Sequence, residues 1–212
     1  MDKRRLGYVF VSIGAVLLCA ALLLFLHNRM EDERAGQAAG EALSALQEVL
    51  ENQSSETAPL PEIPEETEAA TEPGETIPDE LPIVNVDGND YIGYLSFPGY
   101  EIELPVMADW SMEKLQIAPC LQSGSPLTDD AVIAAHNFKK HFLVLHNIQV
   151  GEKVIFTDMN GNTIEYTVAE VKIIDPTSVY EVIHSDYDLI LYTCTSGGQA
   201  RVTVRCNRTE KG

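Results

Sequence analysis

Apolar positions along the chain fall into distinct textures. From Leu6 to Leu26 there are 21 residues without a charge. At about 1.5 Å rise per residue that run crosses a hydrocarbon core of about 30 Å and predicts a spanning helix. Over 35–51, Leu43, Leu46, Val49 and Leu50 recur at helical spacing among Ala and Glu, which predicts a short amphipathic helix. From Leu81 onward the texture changes to short apolar or alternating runs punctuated by turn residues: 91–97, 100–106, 131–135, 153–157, 163–174, 189–193 and 200–206. Runs of this length predict strands, and this many of them a mainly β domain over 81–212, built as a barrel or sandwich. Asn160-Gly161, between two alternating runs, is the clearest hairpin signal, because a type I′ turn needs positive φ at both central positions. Helical texture inside this domain is limited to 111–118 and the stretch around 138–147, and no internal repeat is present.

Between helix and strands, residues 52–80 carry Pro59, Pro61, Pro64, Pro73 and Pro78 among Glu and Thr, with no aromatic residue. Such a composition cannot bury enough apolar surface to offset its ordering entropy. It is predicted to be a semi-rigid spacer, reaching roughly 90 Å if extended at about 3.1 Å per residue. The expected organisation is therefore a tail at 1–5, an anchor at 6–26, an acidic spacer at 27–80 carrying the helix at 35–51, and the β domain at 81–212.

Charge refines this division. The formal net charge of −19 splits into +3 over 1–30, −14 over 31–80 and −8 over 81–212. The acidity thus belongs mostly to the spacer, and no basic stripe exists to hold a phosphate backbone, which argues against nucleic acid as a partner. Lys3, Arg4 and Arg5 precede the apolar run, whereas Glu31, Asp32 and Glu33 follow it. Cytoplasmic flanks favour Lys and Arg, so the tail is expected inside the cell and everything after Arg29 outside, as a single-pass membrane protein. A cleaved secretory signal is the competing reading. The run exceeds the usual length of about 7–15 residues, and no small-x-small site follows it directly.

Three cysteines, Cys120, Cys194 and Cys206, lie beyond the apolar run. An odd number outside the cell leaves at least one thiol unpaired, a candidate nucleophile, and leaves open whether Cys120 and Cys206 pair. Alternation along 200–206 puts Cys206 on a face with Ala200, Val202 and Val204, as a small buried hydrophobe. Cys194 instead ends the run Leu189-Ile190-Leu191-Tyr192 and opens into Thr195-Ser196-Gly197-Gly198, where it can meet a substrate. A catalytic cysteine needs a base and a group that stabilises an oxyanion. Among five histidines, His136 terminates the apolar run 131–135 much as Cys194 terminates its own, and Arg201 stands on the strand after the glycine loop.

In this order and context the residues resemble a family. Leu191-Tyr192-Thr193-Cys194-Thr195 followed by Arg201-Val202-Thr203-Val204-Arg205 resembles the active-site strand, loop and return strand of sortases. Ala131 to Asn137 is similar to their histidine strand, and Val150-Gly151-Glu152-Lys153-Val154 with the Asn-Gly hairpin to the strands beyond it. The resemblance covers about residues 90–208. Papain-like peptidases, by contrast, place Cys before His.

The resemblance implies a sortase-like closed β-barrel of about seven to eight strands with short helices, preceded by one transmembrane helix. It makes Cys194 the nucleophile, His136 the acid/base partner and Arg201 the group that steadies substrate and oxyanion, with Arg205 the alternative arginine on the same strand face. Thr193 matches the family's Thr before the nucleophile and, with Thr195, is expected to contact substrate. Ile190 stands where many sortases have Thr, Ala135 where many have Gly, and the loop from Cys194 to Arg201 is short for the family.

Sortases cut a sorting signal, generally of Leu-Pro-x-Thr-Gly type, after the Thr, hold the acyl group as a thioester and pass it to an amine. The implied partners are surface proteins or pilins bearing such a signal, with an amine of cell-wall peptide or pilin as acceptor. At reference pKa values of about 8.5 for Cys and 6.5 for His, roughly 1% of the pair exists as thiolate and imidazolium. A nearby arginine raises that fraction and burial lowers it. No nucleotide fingerprint or metal-ligand spacing is present, so no cofactor and no metal are expected. A thiol endopeptidase using water, and an inactive membrane-tethered β-barrel binding module, remain as alternatives at this stage.

Overall fold

The computed structural model describes residues 3–56, 80–178, 180, 182 and 184–209. One helix, α1 (Lys3–Glu56), is followed by β1 (Val84–Val86), β2 (Asn89–Phe97), β3 (Ile102–Met107), β4 (Cys120–Ser123), β5 (Ala131–Ala134), β6 (Lys153–Asp158), β7 (Thr163–Ile174), β8 (Leu189–Cys194) and β9 (Arg201–Arg208). Because β2 pairs with both β3 and β6, the sheet closes into a ring in the order β2-β3-β4-β5-β8-β9-β7-β6, with β1 outside it on β2. The fold is thus a closed eight-stranded barrel, within the range expected from the sequence.

Closure depends on one residue without a side chain. Gly93 opposes Asp158 where β2 crosses β6, at φ +152°, and a Cβ there would lie 2.1 Å from the Thr157 carbonyl oxygen. Only glycine fits so close a backbone approach. A bulge between Tyr91 and Gly93 bends β2 at the same point.

Strand alternation sorts the apolar residues into an inside and an outside. Leu95, Phe97, Leu104, Ile133, Phe156, Tyr166, Leu191 and Val204 belong to the barrel interior. Outside it, Val132, Ile174, Val182 and Ile190 form a small cluster, and the distal half of α1 covers Tyr91, Met107, Leu115, Cys120 and Ala134 with Ala42 and Leu46.

The apolar run at 6–26 and the helix expected over 35–51 are one continuous helix. Its proximal part exposes Phe10, Leu17, Leu23 and Phe25, and an 18-residue window of it reaches a mean hydropathy of 2.5 with none of the window buried. That is long and apolar enough to cross a membrane. The distal part docks through Ala35, Ala39, Ala42 and Leu46, one stripe of the helix. The sequence pattern picks out Leu43, Val49 and Leu50 beside Leu46, yet three of the four buried contact positions are alanines, whose small side chains let the helix lie close against the strands. Leu46 is fully buried, worth about 1.5–3 kcal/mol in surface removed from water. Gln47 Nε2 adds a bond to Glu103 Oε2 at 2.9 Å. Of the proline-rich spacer predicted over 52–80, residues 57–79 lie outside the described residues.

Two strands escaped the sequence pattern. β1 and β4 have three and four residues, too few to show alternation. β3 starts at Ile102 because Pro98–Tyr100 form a 3-10 turn and Glu101 takes φ +54°. The Asn-Gly hairpin is also not a two-residue type I′ turn: Gly161 alone takes positive φ, +84°. The buried Asp158 carboxylate explains this, since its Oδ1 accepts from Asn160 N at 2.8 Å and Asn162 N at 2.9 Å and holds a longer loop. The Gly161 N–H donates to the Asp158 carbonyl at 3.1 Å within that loop.

Candidate active site

β5 and β8 run parallel, with Ala131 opposite Leu189 through Ala134 opposite Tyr192. The ladder goes one step beyond β5, because Ala135 N donates to Tyr192 O at 3.3 Å. The same register, continued two residues past the end of β5, sets His136 level with Cys194 on the neighbouring strand. β9 lies antiparallel on the other edge of β8 and sets Arg201 opposite Cys194. Alternation then fixes the face. Ala131, Ile133, Ala135, Leu189, Leu191, Val202 and Val204 point into the barrel, so His136, Cys194 and Arg201 share its outer face. His136, far upstream in sequence, thus joins Cys194 and Arg201 in one row, each half-buried.

Threonines hold the row together. Thr193 points inward and its Oγ1 donates to Ala135 O at 2.8 Å, tying the cysteine strand to the residue before His136. Thr195 closes the loop: its N and Oγ1 donate to Ala200 O at 2.9 and 3.2 Å, and its Oγ1 accepts from Ala200 N at 3.0 Å. Gly197 and Gly198 both take positive φ there, which makes the short return possible. Arg201 Nη1 donates to Gly198 O at 3.3 Å and Ala200 O at 3.2 Å, so the guanidinium lies against the loop that follows the cysteine.

The other thiols and the second arginine are differently placed. All four cysteines carry free thiols, so Cys120 and Cys206 do not pair. Both are fully buried, and burial pushes each thiol up to about 12. Neither supplies thiolate near neutral pH. Arg205 sits opposite Ile190 rather than Cys194, and its Nη1 donates to Glu170 Oε2 at 2.6 Å while its guanidinium lies 5.6 Å from the Tyr187 ring centre. It is committed to a structural ion pair.

Two residues near the row were not singled out by the sequence. Gln116, at the end of the 3-10 turn Lys114–Gln116, brings its Nε2 within 3.0 Å of His136 Nε2. His146, in the 3-10 turn Phe142–His146, places Nε2 3.2 Å from the Cys194 carbonyl oxygen, an atom that only accepts, so the ring donates. Both partners are more than fifteen residues away in sequence, and no local pattern announces such contacts.

Burial lowers the pKa of His136, and Glu31 on α1 partly opposes that. His141 is more strongly affected. Fully buried, with Nε2 3.2 Å from the Ile117 carbonyl and Nδ1 without a partner, it is pushed down to about 4, mainly by burial. The unfolded chain therefore takes up a proton near pH 6.5 that the folded chain refuses until about pH 4. Stability is full above pH 6.5 and declines as pH falls toward 4, by up to about 3 kcal/mol from this group. Urea unfolding of the full chain in detergent is expected to show that decline between pH 7 and pH 4.5, with a smaller decline in His141→Leu. An equal decline in both would remove His141 as its source.

Comparison with known proteins bears on the family and the fold. Residues 95–209, more than half of the chain, match the sequence model of the Sortase domain. Sortase C of Streptococcus pneumoniae is 24% identical, with a TM-score of 0.52 over 57% of this chain and 70% of that one. Streptococcus agalactiae sortase C1, in complex with MTSET, is 26% identical at a TM-score of 0.51, over 57% and 71% of the two chains. Sortase C of Clostridium perfringens SM101 shares 20% identity at a TM-score of 0.51 and spans more, 82% of this chain and 91% of that one. No curated protein matches the chain.

Proposed function

The chain belongs to the sortase family, and from that premise we propose that it is a membrane-anchored cysteine transpeptidase with its catalytic domain outside the cell. The observation that carries the proposal is the pairing of β5 with β8 and of β8 with β9, which brings His136, just past the end of β5, into one row with Cys194 and Arg201. The Cys194 thiolate attacks the carbonyl carbon after the Thr of a Leu-Pro-x-Thr-Gly-like signal, forming a C–S bond. Imidazolium at His136 gives its proton to the departing glycine amine as the C–N bond breaks. The neutral imidazole then takes a proton from the incoming amine, which displaces the thiolate and forms the new amide. Arg201 faces the oxygen that becomes negative in each tetrahedral intermediate. Thr193 and Thr195 hold the strand pair and loop on which the substrate lies.

α1 supports anchoring through its apolar proximal part, and the basic residues before it support an inside tail and an outside barrel. The Streptococcus pneumoniae enzyme is described for its pilin substrate specificity, and pilins or other signal-bearing surface proteins are accordingly the substrates proposed here, with a cell-wall peptide or pilin amine as acceptor. Incubating the full chain in detergent with Leu-Pro-x-Thr-Gly-type peptides, with and without triglycine, is the test. Diversion of product from free acid to triglycine amide is expected. Hydrolysis at a rate and yield indifferent to triglycine assigns a thiol endopeptidase instead, and absence of any cleavage across a library of such signals assigns a binding module.

A further inference from the structure

We propose that the loop leading out of the catalytic row, residues 137–141, rests on the lipid headgroups of the bilayer, held at that height by α1. The inference rests on the anchoring role of α1 proposed above. One unbroken helix does two things: its proximal part is apolar and exposed, and its stripe Ala35, Ala39, Ala42 and Leu46 is buried against the domain. Asp32 follows the last residue of the apolar run, Leu26, by six positions, a rise of about 9 Å. The polar layer on each side of a hydrocarbon core is about 5–8 Å deep. Asp32 therefore stands at the outer edge of the headgroups.

The domain is fastened to the helix at that level. The Lys139 N–H donates to Asp32 Oδ1 at 2.8 Å. One turn further along α1, a Cβ at Gly36 would lie 2.8 Å from Lys140 Cγ, so helix and loop meet without a gap. Glu31 is near enough to act on the charge of His136. At the other end of the docked part, Leu50 packs with Val84 and Val86 of β1. Leu50 lies eighteen residues beyond Asp32, about 27 Å further along the axis. The catalytic loop is thus the part of the domain next to the membrane, and β1 lies well away from it.

The charges at this level suit a surface of phosphates. The acidic turn that follows the apolar run is answered within the protein: Glu31 Oε1 lies 3.3 Å from His27 Nε2, Glu33 Oε1 lies 3.1 Å from Arg29 Nε, and Asp32 accepts from Lys139. Lys139 and Lys140 are exposed beside it. Their long stems carry the ammonium groups to anionic lipid, each worth about 1 kcal/mol near such a surface. The acidic segment 52–80, although long enough to carry a domain roughly 90 Å outward, does not set the height of the site. The docked helix does.

Quenching in vesicles measures that height. The full chain carrying Cys19→Ala and Cys194→Ala, with the buried Cys120 and Cys206 left in place, takes a fluorescent label at Lys139→Cys or, in β1, at Asn85→Cys. It is reconstituted into phosphatidylcholine–phosphatidylglycerol vesicles containing a lipid spin-labelled on its headgroup. The label at Lys139→Cys should lose most of its emission and the label at Asn85→Cys should keep nearly all of it. Inserting one helical heptad between His27 and Asn28 lifts the domain by about 10 Å with little change of face, and should restore emission at Lys139→Cys. Removing residues 62–71 should leave both emissions unchanged. A chain that floats with the vesicles yet is unquenched at Lys139→Cys, stronger quenching at Asn85→Cys, quenching indifferent to the heptad, or emission that changes when residues 62–71 are removed overturns the proposal. A chain that does not float contradicts the anchoring reading beneath it. None of these measurements uses a substrate, so a chain at the expected depth that processes no sorting peptide keeps the placement and rejects the transpeptidase reading alone.

Discussion

Cys194→Ala is expected to abolish turnover, a fall of at least about 10⁴-fold, because the bond to the acyl group has no other atom to form on. The side chain is half-buried at the end of β8 on the outer face of the barrel, so its removal leaves no core cavity. Unfolding free energy should change by less than about 1 kcal/mol. Cys120→Ala and Cys206→Ala should behave in the opposite way. Both thiols are packed in apolar clusters, Cys120 under α1 and Cys206 inside the barrel. Their loss should cost about 1 kcal/mol each and leave kcat near its original value. Rates and urea midpoints for the three variants check the contrast. Cleavage that survives Cys194→Ala but not one of the other substitutions would place the nucleophile elsewhere.

Arg201→Ala is expected to lower kcat by about 10²–10³-fold, the loss typical of removing one oxyanion donor. Arg201→Lys should recover little of it. The guanidinium now rests on Gly198 O and Ala200 O, and its fork can keep one of these bonds while turning another N–H to the substrate oxygen. A single ammonium cannot divide itself in that way. Arg205→Ala supplies the control: it strips Glu170 of a partner that is nine-tenths buried, so it should lower stability by about 1–3 kcal/mol with a much smaller effect on kcat. Steady-state kinetics on the three variants with a sorting peptide would decide. A larger kcat loss in Arg205→Ala than in Arg201→Ala would exchange their roles.

The row itself was legible in the sequence because each member sits at the end of a strongly patterned segment. Cys194 and His136 close apolar strands, and Arg201 opens a strand of strict alternation, so face and neighbourhood followed from period-two geometry. Gln116 and His146 were not legible, since each meets the site through a 3-10 turn whose contact depends on the closed barrel. Neither was the role of Thr193. In sequence it precedes the nucleophile, but alternation turns it inward, where its hydroxyl binds Ala135 O.

The helix shows the same limit from another side. Leucines at helical spacing marked a segment near 35–51, but which stripe docks is decided by the surface it meets, and that surface accepts alanines at close range. Its continuity with the apolar run could not be read either, because the charged stretch between them, from Glu31 to Arg34, has neither a breaker nor an apolar period. The hairpin differs for a local reason. Asn-Gly was right as a turn signal, and the buried Asp158 carboxylate selected a longer loop than the dipeptide alone favours.

The central claim is that an acyl group passes through a thioester on Cys194, and the mass of the protein tests it most directly. Full chain in detergent, mixed with a Leu-Pro-x-Thr-Gly-type peptide and quenched in acid within a turnover, should gain the mass of the peptide up to its Thr. Proteolytic mapping should place that mass on Cys194, and triglycine added before the quench should discharge it. Turnover without any adduct, turnover that persists after Cys194 has been alkylated, or an acyl group mapped to Cys120 or Cys206 would contradict the account.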